Sequence, residues 1–338
     1  MLARFLSGCG WALPVAVAVA VALPAATEPT ELLLVSTAWP PFTDVVGRPR
    51  VASELVHEAL ARTGIDAETA IVADGLLVSS MADASHAGSG ALWRSEERER
   101  FLLYSDPYME NRLVLVGRSG SDVSATSFAD LAGKRVALVK GYAYGESVDE
   151  AASPLFVLGD SVEDNVRRVL DDEVDYMLID ALVIRYIVEQ YREDANEHLE
   201  IGSTPLARRT LHFAIRKEIE GAGTIVSRFN EEILEMLADG TYNRILDLPW
   251  IHADVDGDGQ PELVLEGDRA GVEPPTDAYQ VMSEDTPEKD AAKKLRFLIG
   301  GSLYQDWKNV PEHYKTPLSA FGPDPHETTT APVFTIKF

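Results

Sequence analysis

Short apolar runs alternate with helical patterns over the first two thirds of the chain. The run over 31–37 is rich in Leu and Val and predicts a buried strand. Residues 50–63 place their apolar side chains on one face, which predicts an amphipathic helix that Gly64 ends. A strand over 70–72 follows. Strand, helix and strand in this order predict a parallel sheet covered by helices, the α/β fold class.

The same alternation continues to about residue 250. Apolar runs predict strands over 112–116, 135–139, 156–158, 175–179 and 211–216. Helical spacing predicts helices over 127–131, 146–152, 161–171, 181–192, 224–239 and 242–248. Ser161 and Asp164 fit a capping box at the start of one of these helices. The pattern therefore predicts two successive α/β blocks.

The first 26 residues have the pattern of a secretory signal peptide. Arg4 precedes an apolar run over 11–23, and the small residues Ala25 and Ala26 follow it. We therefore exclude residues 1–26 from the fold and predict a periplasmic protein.

The single cysteine, Cys9, lies inside this N-terminal segment. The mature chain would then have no disulfide and no thiolate ligand for a metal. The tetrapeptide Leu6-Ser7-Gly8-Cys9 matches a bacterial lipobox, but the apolar run follows the cysteine instead of preceding it. We therefore do not expect a lipid anchor at Cys9.

Charge excludes some partners without naming a ligand. The chain has 55 acidic and 30 basic residues, a formal net charge of −25 and a pI of about 4.6. Such a surface argues against nucleic acid and anionic membranes as partners.

Arg98 is the candidate residue with the clearest chemistry. It lies in a charged stretch, Ser95-Glu96-Glu97-Arg98, before the strand predicted over 112–116. A guanidinium held in a loop before a rigid strand is well placed to bind a carboxylate through two hydrogen bonds. The alternative is a solvated arginine in a helical turn of alternating Glu and Arg.

Several motifs in this region resemble family 3 periplasmic solute-binding proteins. S-E-E-R at 95–98, S-D-P-Y at 105–108 and the V-G-R that ends the next strand are similar to the family's T-P-E-R…S-D-P-Y pattern, and the resemblance covers most of 32–250. It implies a two-lobed type II periplasmic binding protein fold over 27–250. Lobe one would comprise about 30–115 and 213–250, lobe two would comprise about 116–212, and the strands at 112–116 and 211–216 would form the hinge.

The resemblance also implies roles for individual side chains. Arg98 would bind the α-carboxylate of an amino acid, Trp39 would stack on its side chain, and Asp180 would bind its α-ammonium. An aspartate after an apolar strand is also a common helix N-cap, and both interpretations of Asp180 stay open. The predicted ligand-binding set is Trp39, Phe42, Trp93, Ser95, Arg98, Tyr142 and Asp180.

The chain departs from the family pattern in two places. Ala91 and Trp93 stand where the family has Ser or Thr, and Gly141 is followed by Tyr142 and Ala143 where the family has G-T-T. Rings and a methyl group thus replace hydroxyls that would bind a carboxylate. The ligand is then larger or flatter than a standard amino acid, or the site has drifted.

Residues 251–338 form a C-terminal extension with a calcium-like loop at 254–262. Its acidic residues stand at positions 1, 3, 5 and 9 and Gly259 at position 6, a spacing that lets carboxylates converge on one hard cation. Position 12 is Leu265 in place of the glutamate of an EF-hand. The loop resembles those of integrin-type FG-GAP repeats, in which a strand follows, here over 263–265. The predicted ligands are Asp254, Asp256, Asp258, Gln260 and Glu262; the alternative is a glycine-rich acidic turn.

The rest of the extension gives weaker patterns. Residues 266–287 predict a linker, 288–299 and 302–310 predict helices, and 323–338 predicts an extended or disordered end.

The predicted function is the binding of a small polar solute, amino-acid-like or carboxylated, by a monomer that delivers it to a membrane permease or sensor. We expect no cofactor in the binding domain. One alternative is a dehydratase-like enzyme on the same fold, although His57, His86 and His212 are scattered along the sequence. A second is an interaction module with a degenerate cleft.

Overall fold

The computed structural model describes residues 30–191, 195, 197–255, 260–266, 274, 279–280 and 295–315. The strands are β1 (Thr30–Thr37), β2 (Ile65–Val72), β3 (Gly88–Trp93), β4 (Leu102–Tyr104), β5 (Met109–Arg118), β6 (Arg135–Val139), β7 (Leu155–Gly159), β8 (Tyr176–Asp180), β9 (Leu199–Arg216), β10 (Trp250–Ala253), β11 (Glu262–Leu265), β12 (Tyr279–Gln280), β13 (Phe297–Ile299) and β14 (Ser302–Tyr304). The α-helices are α1 (Val51–Arg62), α2 (Leu77–Ala82), α3 (Glu96–Glu99), α4 (Glu146–Asp149), α5 (Val162–Leu170), α6 (Ala181–Gln190), α7 (Ala222–Ala238), α8 (Thr241–Leu246) and α9 (Glu312–Lys315).

Nine of these strands form one mixed sheet with a parallel set at each end. The order is β2-β1-β3-β9-β5-β8-β6-β7, and β4 also pairs with β9. The pairs β1–β2, β1–β3, β6–β7 and β6–β8 are parallel, as the predicted βαβ units require. The strands β5 and β9 join the two sets and are antiparallel to their neighbours.

The strands β5 and β9 cross between the two lobes. They pair from Met109 opposite Leu211 to Arg118 opposite Leu199, with register shifts on both sides of Val114. The C-terminal end of β9 then pairs with β3 and β4. The sequence predicted only 211–216 of this strand. Gly202 and Pro205 are residues that strands usually lack, so its first half has no strand pattern. Pro205 lies opposite Val114, where the ladder is already irregular.

Each lobe packs helices on its part of the sheet. In lobe one the apolar stripes of α1 and α7 are buried, including Leu55, Leu60, Phe229 and Ile233. In lobe two α5 and α6 bury theirs in the same way. Ser161 caps α5, since its hydroxyl accepts a hydrogen bond from the Asp164 amide at 3.2 Å. The strongly periodic segments therefore have the predicted structure.

The C-terminal extension forms a second sheet, with the order β12-β10-β11-β13-β14. The prediction of helices over 288–299 and 302–310 is wrong for Phe297–Ile299 and Ser302–Tyr304, which pair as a β-hairpin. Gly300 and Gly301, with φ of 56° and 74°, form its two-residue turn, and this Gly-Gly signal was missed. Residues Trp307–Asn309 form one turn of 3₁₀ helix.

Four segments with predicted structure lie wholly or largely outside the described residues. The strand β12 lies within the predicted linker over 266–287 and pairs with β10. Residues 288–294 and 323–338 lie outside the described residues, as does the predicted signal peptide over 1–26 with Cys9. None of the described helices is long and apolar enough to span a bilayer.

His212 on β9 gives the fold a pH dependence. Its ring is fully buried and lies 2.8 Å from both the Ser105 carbonyl oxygen and the Thr210 hydroxyl. Burial lowers the pKa of His212 from 6.5 to about 4. The unfolded chain therefore takes up a proton in this interval while the folded chain does not, so stability is complete above pH 6.5 and falls as the pH approaches 4.

We expect His212→Gln to weaken this pH dependence. Between pH 6.5 and 4 the free energy of unfolding of the unaltered protein should fall by roughly 3 kcal/mol more than that of the variant, as urea unfolding would measure. Replacement of the exposed His313 by Gln is the matched control. Equal slopes in all three proteins would contradict the assignment.

Candidate ligand-binding site

A cluster of aromatic rings fills the space between the lobes. Trp39 follows β1 and Trp93 ends β3, whereas Tyr142 and Tyr144 follow β6 in lobe two. The Trp39 ring lies 5.7 Å from Trp93 and 5.8 Å from Tyr142, and Trp93 lies 5.5 Å from Tyr142 and from Tyr144. The three pairs among Trp39, Trp93 and Tyr142 are edge-to-face, with interplanar angles of 85°, 72° and 87°. Contacts between rings of both lobes therefore hold the cleft closed.

A tight turn presents Trp39 to the cleft. Trp39 and Thr43 exchange two backbone hydrogen bonds of 2.8 and 3.1 Å. Phe42 is fully buried behind Trp39, with ring centroids 4.5 Å apart, and does not line the cavity. Phe42 thus supports Trp39, although the sequence placed it among the ligand-binding residues.

Arg98 lies at the rim of a small cavity beside these rings. The cavity has a volume of about 60 Å³, and its lining includes Thr37, Trp39, Trp93, Arg98, Tyr142 and Ala143. Arg98 is half-buried in the short helix α3, and its Nη2 lies 3.5 Å from the Gly141 carbonyl oxygen across the cleft. Ser95 is the N-terminal cap residue of α3, but its side chain does not line the cavity.

Asp180 caps a helix and is not exposed to the cavity. Its Oδ1 accepts hydrogen bonds from the amides of Leu182 at 2.7 Å and Val183 at 3.2 Å, and its Oδ2 accepts one from Asn111 Nδ2 at 3.1 Å. Burial raises the pKa of Asp180 to about 7, although these hydrogen bonds oppose the shift. Trp93 lies on the other side of Asn111, since its Nε1 donates to Asn111 Oδ1 at 2.6 Å.

Two residues that the sequence did not single out complete the site. Asn111 is fully buried on β5 and connects Trp93 to Asp180. Arg209 lies opposite Asn111 on β9, with its guanidinium 6.0 Å from the centre of the Trp93 ring. No sequence motif marks either residue, because their positions follow from the pairing of β5 with β9.

The histidines lie away from this cavity. His57, His86 and His212 do not line it. Burial lowers the pKa of His57, like that of His212, to about 4. Neither of these two is positioned as a general base for a ligand in the cavity.

The calcium-like loop is described only at its two ends. The strands β10 and β11 are antiparallel, with Ala253 opposite Glu262, so they hold the ends of the loop together. Glu262 is buried, accepts the Val255 amide at 3.0 Å and pairs with Arg296. Among the described residues no acidic or histidine cluster is arranged to hold a metal, and Asp256 and Asp258 lie outside them.

Comparisons with known proteins agree with this architecture. An ancestral arginine-binding protein bound to arginine superimposes with a TM-score of 0.55 and 22% identity, covering 65% of this chain and 98% of its own. A histidine kinase sensor domain with similarity to periplasmic binding proteins has the same TM-score and identity, covering 64% of this chain and 94% of its own. The chain has the two-lobed α/β fold of periplasmic binding proteins.

A sequence relative points in the same direction. The L-cystine-binding protein TcyJ of Escherichia coli is 25% identical over 164 residues, which are 48% of this chain and 58% of the relative. The chain therefore spans little more than half the length of the curated relatives that it matches. No protein-family model matches the chain.

We expect Asn111→Leu to destabilise the protein. The variant leaves the buried Trp93 Nε1 without its acceptor and Asp180 Oδ2 without its donor, which should cost about 1–3 kcal/mol in denaturant unfolding. Asn230→Leu is the matched control, because it also removes two hydrogen bonds, here exposed ones with Asp106. Equal losses of unfolding free energy in the two variants would show that the buried hydrogen bonds from Trp93 through Asn111 to Asp180 stabilise the fold no more than exposed ones do.

Proposed function

We propose that the protein binds a small carboxylated solute between its two lobes and that Arg98 binds the carboxylate. The supporting observation is that Arg98 lines an aromatic cavity between the lobes and pairs with no carboxylate among the described residues. A half-buried guanidinium of this kind favours an anionic ligand. The rings of Trp39, Trp93 and Tyr142 would contact the apolar part of the solute.

Binding on this proposal requires the lobes to separate. The cavity of about 60 Å³ is far smaller than the roughly 300–1,000 Å³ of ordinary ligand pockets. The crossing strands β5 and β9 connect the lobes and would act as the hinge. Ligand would then replace the contacts that Tyr142 makes with Trp39 and Trp93.

The proposal extends to location and partner. Residues 1–26 would direct export to the periplasm, and the monomeric protein would deliver its solute to a membrane permease or a sensor. A binding protein and a kinase sensor domain among the similar proteins support these two destinations. No catalytic role is proposed, since no histidine lies in the cavity lining.

Arg98→Gln should abolish ligand binding and preserve the fold. For the unaltered protein, a panel of amino acids and small carboxylates should contain a ligand that raises the thermal midpoint. A ligand at a hundred times its Kd adds about 2.7 kcal/mol to the stability of the folded state. Arg100→Gln, which changes an exposed arginine two residues away, should keep the response. An unchanged response in Arg98→Gln, or no response to any solute, would refute the proposal.

We also propose that the loop over 254–262 binds calcium. The antiparallel pairing of β10 with β11 supports it, because it closes the loop and brings Asp254 and Glu262 to its base. The spacing of Asp256 and Asp258 supplies two further carboxylates. Arg296 already contacts Glu262, so calcium would share this carboxylate or rely on the aspartates.

Calcium should raise the thermal midpoint of metal-free protein, and the double variant Asp256→Asn, Asp258→Asn should lose this response. At a hundred times its Kd the metal would add about 2–3 kcal/mol. Magnesium is the matched control, since Ca²⁺ accepts irregular coordination by carboxylates and carbonyls whereas the smaller Mg²⁺ requires near-octahedral geometry. A response that survives in the double variant would place the metal elsewhere.

A further inference from the structure

Two arginines at or beside the cavity have no carboxylate partner among the described residues. Arg98 and Arg209 form no ion pair with any described residue, although the sequence has 55 acidic side chains. Their neighbours do form such pairs: Arg94 pairs with Glu99 at 2.5 Å and Arg208 with Glu110 at 2.6 Å. Arg98 lines the cavity, and the Arg209 guanidinium lies 6.0 Å from the centre of the Trp93 ring that also lines it. Two guanidiniums near the same cavity favour negative charge there.

Hydrogen bonding and packing hold Arg209 in place without an ion pair to any described residue. Its Nη2 donates to the Arg94 carbonyl oxygen at 2.8 Å, and its buried Nε has no acceptor among the described residues. Its Nη1 lies against Gly145, whose φ of 86° favours a glycine. Burial lowers the pKa of Arg209; the charge of Asp149 opposes this shift, and the charge of Arg98 adds a smaller lowering.

The same site offers no carboxylate to an ammonium group. No acidic residue lines the cavity, as far as the described residues show. Asp180, which would bind the ammonium in the family that the sequence resembles, already accepts two backbone amides and the Asn111 amide. The Trp93 ring, hydrogen-bonded to Asn111, separates this carboxylate from the cavity. A buried ammonium without a partner is strongly disfavoured.

We propose that the cleft binds an organic carboxylate that carries no ammonium group, with Arg209 adding a second positive charge beside Arg98. This inference rests on the proposed function and specifies its ligand class. The aromatic rings suit an apolar or flat body, and the two guanidiniums suit one or two carboxylates. Trp93 thereby selects against amino acids, because it covers the acceptor that an ammonium would need.

The test compares ligands that differ only in the ammonium group. Calorimetry would measure the Kd of the unaltered protein for 3-phenylpropanoate against L-phenylalanine and for glutarate against L-glutamate. We expect the compound without the amino group to bind at least tenfold more tightly in the pair that binds. Equal or tighter binding of the amino acids would overturn the inference and leave the proposed function intact. Binding of no member at millimolar concentration would overturn both.

Two variants test the residues. Arg209→Gln should weaken the binding of the carboxylate at least tenfold, whereas Arg100→Gln should not change it; no loss in Arg209→Gln would remove Arg209 from the site. Trp93→Ser uncovers Asn111 and should shift the ratio of the two Kd values within a pair at least tenfold toward the amino acid. An unchanged ratio in a variant that folds, as circular dichroism would verify, would show that Trp93 does not exclude the ammonium.

Discussion

Two antiparallel strands, β5 and β9, carry the chain from one lobe to the other, and the polar groups of the site are placed relative to them. Asn111 and Arg209 are opposite each other in this ladder, and both interact with Trp93. The next residue, Arg208, points to the other face and pairs with Glu110. Because side chains alternate along a strand, a slip of one residue would exchange these two arginines. The register of this pairing thus determines which of the two arginines lies beside Trp93.

Trp93 changes both the shape and the chemistry of the cleft. Where the resembling family has a small hydroxyl residue, the ring occupies space between the lobes and contacts Trp39, Tyr142 and Tyr144. Its N–H does not bind solvent or ligand but donates to Asn111, which in turn holds Asp180. One side chain therefore both fills space between the lobes and connects, through Asn111, to the buried Asp180.

The sequence predicted the parts of the fold that have strong local patterns. The helices α1 and α7 have clear apolar periodicity, and the strand β1 is a continuous apolar run. Four residues of the predicted ligand-binding set, Trp39, Trp93, Arg98 and Tyr142, line one cavity in the structure. The strand β3 was missed because it begins Gly-Ser-Gly. Gly88 is required there because a β-carbon would lie 2.0 Å from the Ala214 carbonyl oxygen of β9. The need for this glycine arises from the contact with β9 in the tertiary structure, so no local sequence pattern predicts the strand.

Asn111 and Arg209 were not predictable for a related reason. Arg208 and Arg209 are adjacent and chemically identical in the sequence, and only the cross-strand register shows which one lies over Trp93. The short strands of the extension, of two to four residues each, are too brief to show a period. Local sequence patterns thus identify helices and strands, whereas the pairing register of β5 with β9 determines which side chains face the cleft.

The C-terminal sheet has apolar side chains on both faces, and one face packs against lobe one. Ile251, Val264 and Leu298 point into the main hydrophobic core, while alternate residues on the same strands pack around Trp250 in a core of their own. Asn243 of α8 also donates to the Val264 carbonyl oxygen at 3.2 Å. A protein that ended near residue 250 would expose to water the apolar surface of lobe one that this sheet covers. Lobe one and the extension are therefore a single packing unit in this protein and not two independent modules.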